Sequence, residues 1–252
     1  SLEHRLRFLQ NVVNGIRTEA PDLGIGVRVS IFDTVPFEAD PGQSLPGKPG
    51  PGLPCNYCDA MPYKYAFGVN EDQPTDYDLT EPIDLLSNLA DMGISVVTLT
   101  AGSPYYNPHI QRPAFYPPSD GYQPPEDPLI SVSRQLFVAK YLKSLNPNMT
   151  FVGTGYSYFQ DFLPNIAEGV VSNDWIDFVG LGRMALSYSG LPADILLGRT
   201  LDRKQVCRTF SDCTTAPRNG MVSGCYPLDS YYRKLPEFAE LQKLKQVIAQ
   251  SL

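Results

Sequence analysis

Two short apolar segments in the second half of the chain end in glycine: Phe151-Val152-Gly153-Thr154-Gly155 and Val179-Gly180-Leu181-Gly182-Arg183. Glycine at a strand tip lets backbone N–H groups approach a ligand closely. Arg183 adds a planar cationic fork suited to phosphate. A third segment, Gly26-Val27-Arg28-Val29-Ser30, sets a guanidinium between two valines. In a strand Arg28 points to the face opposite Val27 and Val29, and a buried guanidinium needs a partner. That partner is an anionic or carbonyl-bearing ligand, or a structural carboxylate. Glycines that only make tight turns would be the plainer account of Gly153, Gly155 and Gly182. The repeated glycine-ended strand, joined to Arg183, favours phosphate.

The five cysteines divide into Cys55-x2-Cys58 and a later set, Cys207, Cys213 and Cys225. The first pair has metal-ligand spacing but no second close pair to complete a site. Acidic pairs such as Asp76/Asp78 and Glu126/Asp127 lie in polar loops and read as solvated charge or helix caps. His109 lies in a loop rich in Pro and Tyr and reads as a packing or surface histidine.

Positioning these residues takes an alternation of strands and helices. Leu2, Leu6, Leu9, Val13 and Ile16 recur at helical spacing, with Ser1 placed to cap. Strands are expected at 25–31, 94–99, 149–153 and 178–181, each followed by a helix: 80–92, 129–145, 159–171 with a disturbance at Pro164, and 191–197. Long loops are expected at 34–79 and 101–128. A cysteine-bearing irregular tail begins at 207 and ends in an amphipathic helix from about Pro236 to Ile248. Short apolar strands alternating with helices predict a parallel sheet with helical crossovers. Four strands do not close a (β/α)₈ barrel. The expected fold is therefore α/β of the TIM-barrel type, about four βα units or one half, over 1–206, with 207–252 packed on it. An open doubly wound sheet is the structural alternative.

Bulk properties narrow the function. The net charge is −7 and no Lys/Arg run occurs, which argues against nucleic acid. No stretch approaches the roughly 20 apolar residues that span a bilayer. Ser1 enters a helical repeat directly, with no apolar leader and no Met, so an upstream continuation and no secretory signal are expected. The odd number of cysteines points to reduced thiols and a cytoplasmic setting.

Ser1-Leu2-Glu3-His4-Arg5-Leu6-Arg7-Phe8, Ile25-Gly26-Val27-Arg28-Val29-Ser30 and Phe178-Val179-Gly180-Leu181-Gly182-Arg183 together resemble the Old Yellow Enzyme-like NADH:flavin oxidoreductases. The likeness runs in family order over most of 1–33 and 80–200, with His4 where the family has Asn. It implies an FMN-binding barrel whose fifth strand follows the opening segment. It implies that Arg28 contacts the flavin pyrimidine edge, that Gly182 and Arg183 bind the FMN phosphate, and that Gly153, Thr154 and Gly155 form the other phosphate-facing loop. The helix near Leu191 resembles the segment that follows the family Gly-Arg. NADH or NADPH would be the reductant and an electron-poor small molecule the acceptor.

The family's first four strands carry its substrate-anchoring histidines and its proton-donating tyrosine, so no catalytic residue is assigned here. A missing N-terminal half, or pairing with a second copy, would complete the barrel. Relatives in the dienoyl-CoA reductase and trimethylamine dehydrogenase branch carry a four-cysteine iron–sulfur motif near the position of Cys207, Cys213 and Cys225. Phe210 stands at one ligand position, and such a cluster usually takes four thiolates. A remnant motif with free thiols is therefore the preferred reading. Two other classes stay open. One is a non-catalytic half barrel that needs a partner half. The other is a carbohydrate-active barrel, for which Asp33 is the only carboxylate near a strand tip.

Overall fold

The computed structural model describes residues 1–45, 48–119 and 121–250, with backbone alone for 247–250. The chain opens with helix α1 (Leu2–Glu19) and strand β1 (Gly26–Ser30). An insertion follows that carries β2 (Phe37–Ala39) and β3 (Gly52–Pro54). Next come α2 (Thr80–Asp91), β4 (Val96–Thr100), the short α3 (Pro108–Gln111), α4 (Pro128–Leu145) and β5 (Thr150–Gly153). A 3-10 stretch, Tyr156–Phe162, leads into α5 (Leu163–Ser172) and β6 (Phe178–Val179). Helices α6 (Met184–Ser187), α7 (Leu191–Leu196), α8 (Asp212–Arg218) and α9 (Pro236–Gln250) complete the chain.

The fold is mixed α/β. β1, β4, β5 and β6 form a four-stranded parallel sheet in that spatial order. Parallel neighbours need long crossovers, and α2, α4 and α5 lie in those connections. Strand order follows chain order without reversal among the described strands, so the switch point of a doubly wound sheet does not occur.

Register divides the sheet into two unlike faces. Val27, Val97 and Phe151 align, as do Val29 and Leu99, and this face joins a core with Leu86, Leu89, Val132 and Leu142. Arg28, Thr98, Val152 and Phe178 align on the other face. That face is poorly covered: Gly26, Arg28 and Ser30 are exposed, and Val96 and Phe178 are 39% and 60% exposed. Parallel sheets are ordinarily covered on both sides. Apolar exposure continues at both ends. Phe8 and Val12, one turn apart on α1, are exposed, as are Leu196 and Leu197 at the end of α7.

Several expectations are corrected. The 34–79 loop is not wholly irregular: β2 and β3 pair as an antiparallel ladder. The helix expected from 159 begins at Leu163, because Gln160 adopts φ 51, outside helical space. Pro164 then falls in the first turn, where a proline costs nothing. The 101–128 loop holds α3 and the tail holds α8, which runs through Pro217. Ser1 precedes α1 without a side-chain cap. The tail has its own small core of Ala216, Tyr226 and Leu241, whereas Val206 and Cys207 belong to the main one.

Candidate functional site

The C-terminal ends of the parallel strands surround a cavity of about 260 Å³. Strands β1 and β4 contribute Arg28, Thr98 and Thr100. The turn after β5 contributes Thr154 and Gly155, and the turn after β6 contributes Gly180, Leu181, Gly182 and Arg183. Gln111 and Arg112 close one side from α3 and its cap. Alternation explains the strand residues: Thr98 and Thr100 face away from Val97 and Leu99, so they share the open face with Arg28.

Five of the six residues singled out in the sequence therefore meet here: Arg28, Thr154, Gly155, Gly182 and Arg183. Gly153 does not line the cavity. It ends β5 on the covered face, where an added Cβ would come 3.0 Å from Ile176 and from the Tyr156 hydroxyl. Gly155 is needed by its backbone, with φ +99 and Gln135 Oε1 2.7 Å from a built Cβ. At Gly182 nothing lies within 4 Å of a built Cβ. The protein itself leaves room for a side chain there, so the bare backbone is open to a ligand.

The electrostatics are one-sided, because no Asp or Glu lines the cavity among the described residues. Arg183 is half-buried and donates through Nη2 to Gln111 Oε1 at a long 3.4 Å. Burial, followed by the like charge of Arg112, pushes its pKa down to about 10. Arg112 donates to Cys207 Sγ at 3.3 Å, while its buried Nε has no hydrogen-bond partner. Neither guanidinium is in an ion pair among the described residues. Two neighbouring cations without a carboxylate carry a desolvation cost that an anion would offset. Sequence reasoning missed Arg112 and Gln111, whose loop has no periodicity. Thr98 and Thr100 were signalled by the alternation in Val96-Val97-Thr98-Leu99-Thr100.

The remaining candidates lie elsewhere. Asp33 is buried and accepts hydrogen bonds from Asn107 Nδ2 at 2.7 Å, the Thr34 amide at 2.8 Å and the Tyr106 hydroxyl at 3.3 Å. Burial raises its pKa. It does not line the cavity, so the paired carboxylates of a glycosidase have no counterpart there. The five cysteines are free thiols; Cys207 and Cys225 are buried, and Cys225 is pushed up to about 11 by burial. Cys207 Sγ also accepts from the Thr209 amide at 3.4 Å. Phe210 packs against Tyr116 with the two rings tilted. Among the described residues no group of three His, Cys, Asp or Glu is placed to hold a metal ion.

His109 is buried rather than at the surface, with Nε2 2.6 Å from the Tyr122 carbonyl oxygen. That contact puts the proton on Nε2, and burial lowers the ring pKa from 6.5. A depressed folded pKa gives a stability contribution that is complete above the unfolded value and is lost as pH falls through and below it. Between pH 7.5 and 5.5 stability should therefore fall, seen as a lower urea midpoint at the acid end. His109→Gln should remove that part of the slope; an unchanged slope would count against the neutral, buried ring.

A scan of family models, a search of curated proteins and a search of solved structures each return no match to the chain.

Proposed function

We propose that the chain is an FMN-binding half of a (β/α)₈-type oxidoreductase barrel, supporting hydride transfer from NADH or NADPH to an electron-poor small molecule. The observation that carries this reading is the single cavity shared by Arg28, Thr154, Gly155, Gly182 and Arg183. When bound, FMN would accept and pass on hydride. Arg183 and the open backbone at Gly182 would hold its phosphate. Arg28, on β1 at the opposite edge of the sheet from β6, would place a positive charge against the pyrimidine edge, where negative charge grows on reduction. The Thr98 hydroxyl offers a donor between those two ends, whereas Thr100 and Thr154 donate to the Val29 and Leu99 carbonyls and offer lone pairs only. The orphan Nε of Arg112 and the empty space beside Gly182 fit an anionic tail.

The test is a titration with FMN and with riboflavin, followed by flavin fluorescence. FMN should bind weakly and at one site, riboflavin more weakly still, and turnover with NAD(P)H should be poor because four strands do not close a barrel. Equal binding of the two flavins would remove the phosphate site from the reading. Tight 1:1 flavin with robust NAD(P)H oxidation would instead show that four βα units suffice.

A second reading has its own support: the poorly covered sheet face and the edges of β1 and β6, unpaired among the described residues, favour a half barrel that assembles with another half. No helix among the described residues is long and apolar enough to cross a membrane.

A further inference from the structure

We propose that Arg112, with Arg183, forms a two-cation grip for a phosphomonoester dianion, and that the tail after residue 206 is part of this site because it holds Arg112 in place. The proposal rests on the phosphate reading of the cavity but adds a residue, a charge state and a supporting segment that the glycine turns do not supply.

Arg112 and Arg183 form a shared wall. Both line the open cavity, and both also line a second, small cavity of about 20 Å³. That second space holds about one water and is also lined by Pro104, Pro118, Ser211 and Thr214. It is too small for a phosphate, so a phosphate meets the pair in the larger cavity. The two guanidiniums repel each other, and the Nε of Arg112 is buried and unsatisfied. A single negative charge would leave one cation uncompensated. A phosphate monoester carries about −1.5 to −2 at neutral pH and offers three acceptor oxygens. It therefore matches both forks, and charge-assisted bonds of this kind are the strong ones.

The tail enters through sulfur. Cys207 Sγ accepts from Arg112 Nη2, while the Cys207 amide donates to Met184 Sδ at 3.3 Å. Cys207 thus ties α3 to the turn that carries Arg183. The thiol acts as a positioning group for Arg112.

The experiment compares wild type, Arg112→Met and Arg112→Lys with three probes: inorganic phosphate, FMN and riboflavin. Binding is read by thermal shift and flavin fluorescence, after circular dichroism confirms folding. Arg112→Met should weaken FMN binding and the phosphate-induced shift by about tenfold or more, leaving riboflavin binding unchanged. Arg112→Lys, which keeps charge but loses the fork, should recover part of the loss and also serves if the methionine variant does not fold. Phosphate that stabilises wild type but not Arg112→Met, with neither flavin binding, would support the grip and overturn the flavin reading. Wild type indifferent to phosphate and FMN, or Arg112→Met binding both as wild type does, would overturn the grip.

Discussion

Arg183→Met should do two opposite things: remove detectable phosphate and FMN binding, and raise the melting temperature of the ligand-free protein. The first follows from its place in the cavity beside the open backbone of Gly182. Losing a forked cation from a phosphate site costs about 100-fold in affinity or more. The second follows from its surroundings. Arg183 is half-buried, its charge disfavoured by burial and by Arg112, and among the described residues its side chain makes one long hydrogen bond, to Gln111. Methionine keeps much of the apolar stem without a charge to desolvate. A gain of about 1 kcal/mol is expected, or roughly 2–4 °C for a chain of this size. Scanning calorimetry and FMN titration on the same samples decide the matter. A variant that melts earlier and still binds FMN like wild type would mean that the guanidinium is structural.

Phe178→Asp is the second large effect, read in sedimentation. Wild type at micromolar concentration is expected to run heavier than its 27.9 kDa monomer, because the poorly covered sheet face leaves the apolar side chains of Val96 and Phe178 exposed. Burying one phenylalanine is worth about 1.5–3 kcal/mol. In a two-fold interface each substitution counts twice, so the dissociation constant should rise by about 10²–10⁴. Phe178 belongs to no core cluster, so the monomer should keep its helical signal. A wild type that stays monomeric at high concentration would sink the half-barrel assembly.

The parts legible in sequence were those with local patterns. The β-branched runs of β1, β4 and β5 and the 3.6-residue repeats of α1 and α2 mark these elements regardless of what surrounds them. β2 and β3 left no such trace. They are three residues each, and their neighbourhood is pinned by distant bonds, Gly52 N to Gln123 O at 2.9 Å and Gln123 N to Gly50 O at 3.0 Å. α8 was hidden by Pro217, and the break at Gln160 by its ordinary side chain, whose Oε1 accepts from Arg208 at 2.6 Å. The site divides the same way. Residues on strand tips meet because parallel strands deliver their C-terminal ends to one place. Gly153 could have been separated from Thr154 by alternation alone, since Phe151 and Gly153 share the covered face. Arg112 could not, because its position depends on a loop folding against Cys207.

The unreversed strand order has a consequence for biogenesis. Each later strand adds to the edge left by the one before, so the sheet can grow outward as the polypeptide leaves the ribosome, with no gap awaiting a late central strand. The first pairing, Val27 with Val97 across the insertion, closes a longer loop than the second, Val97 with Phe151. Halving that insertion should hasten the first pairing by about threefold.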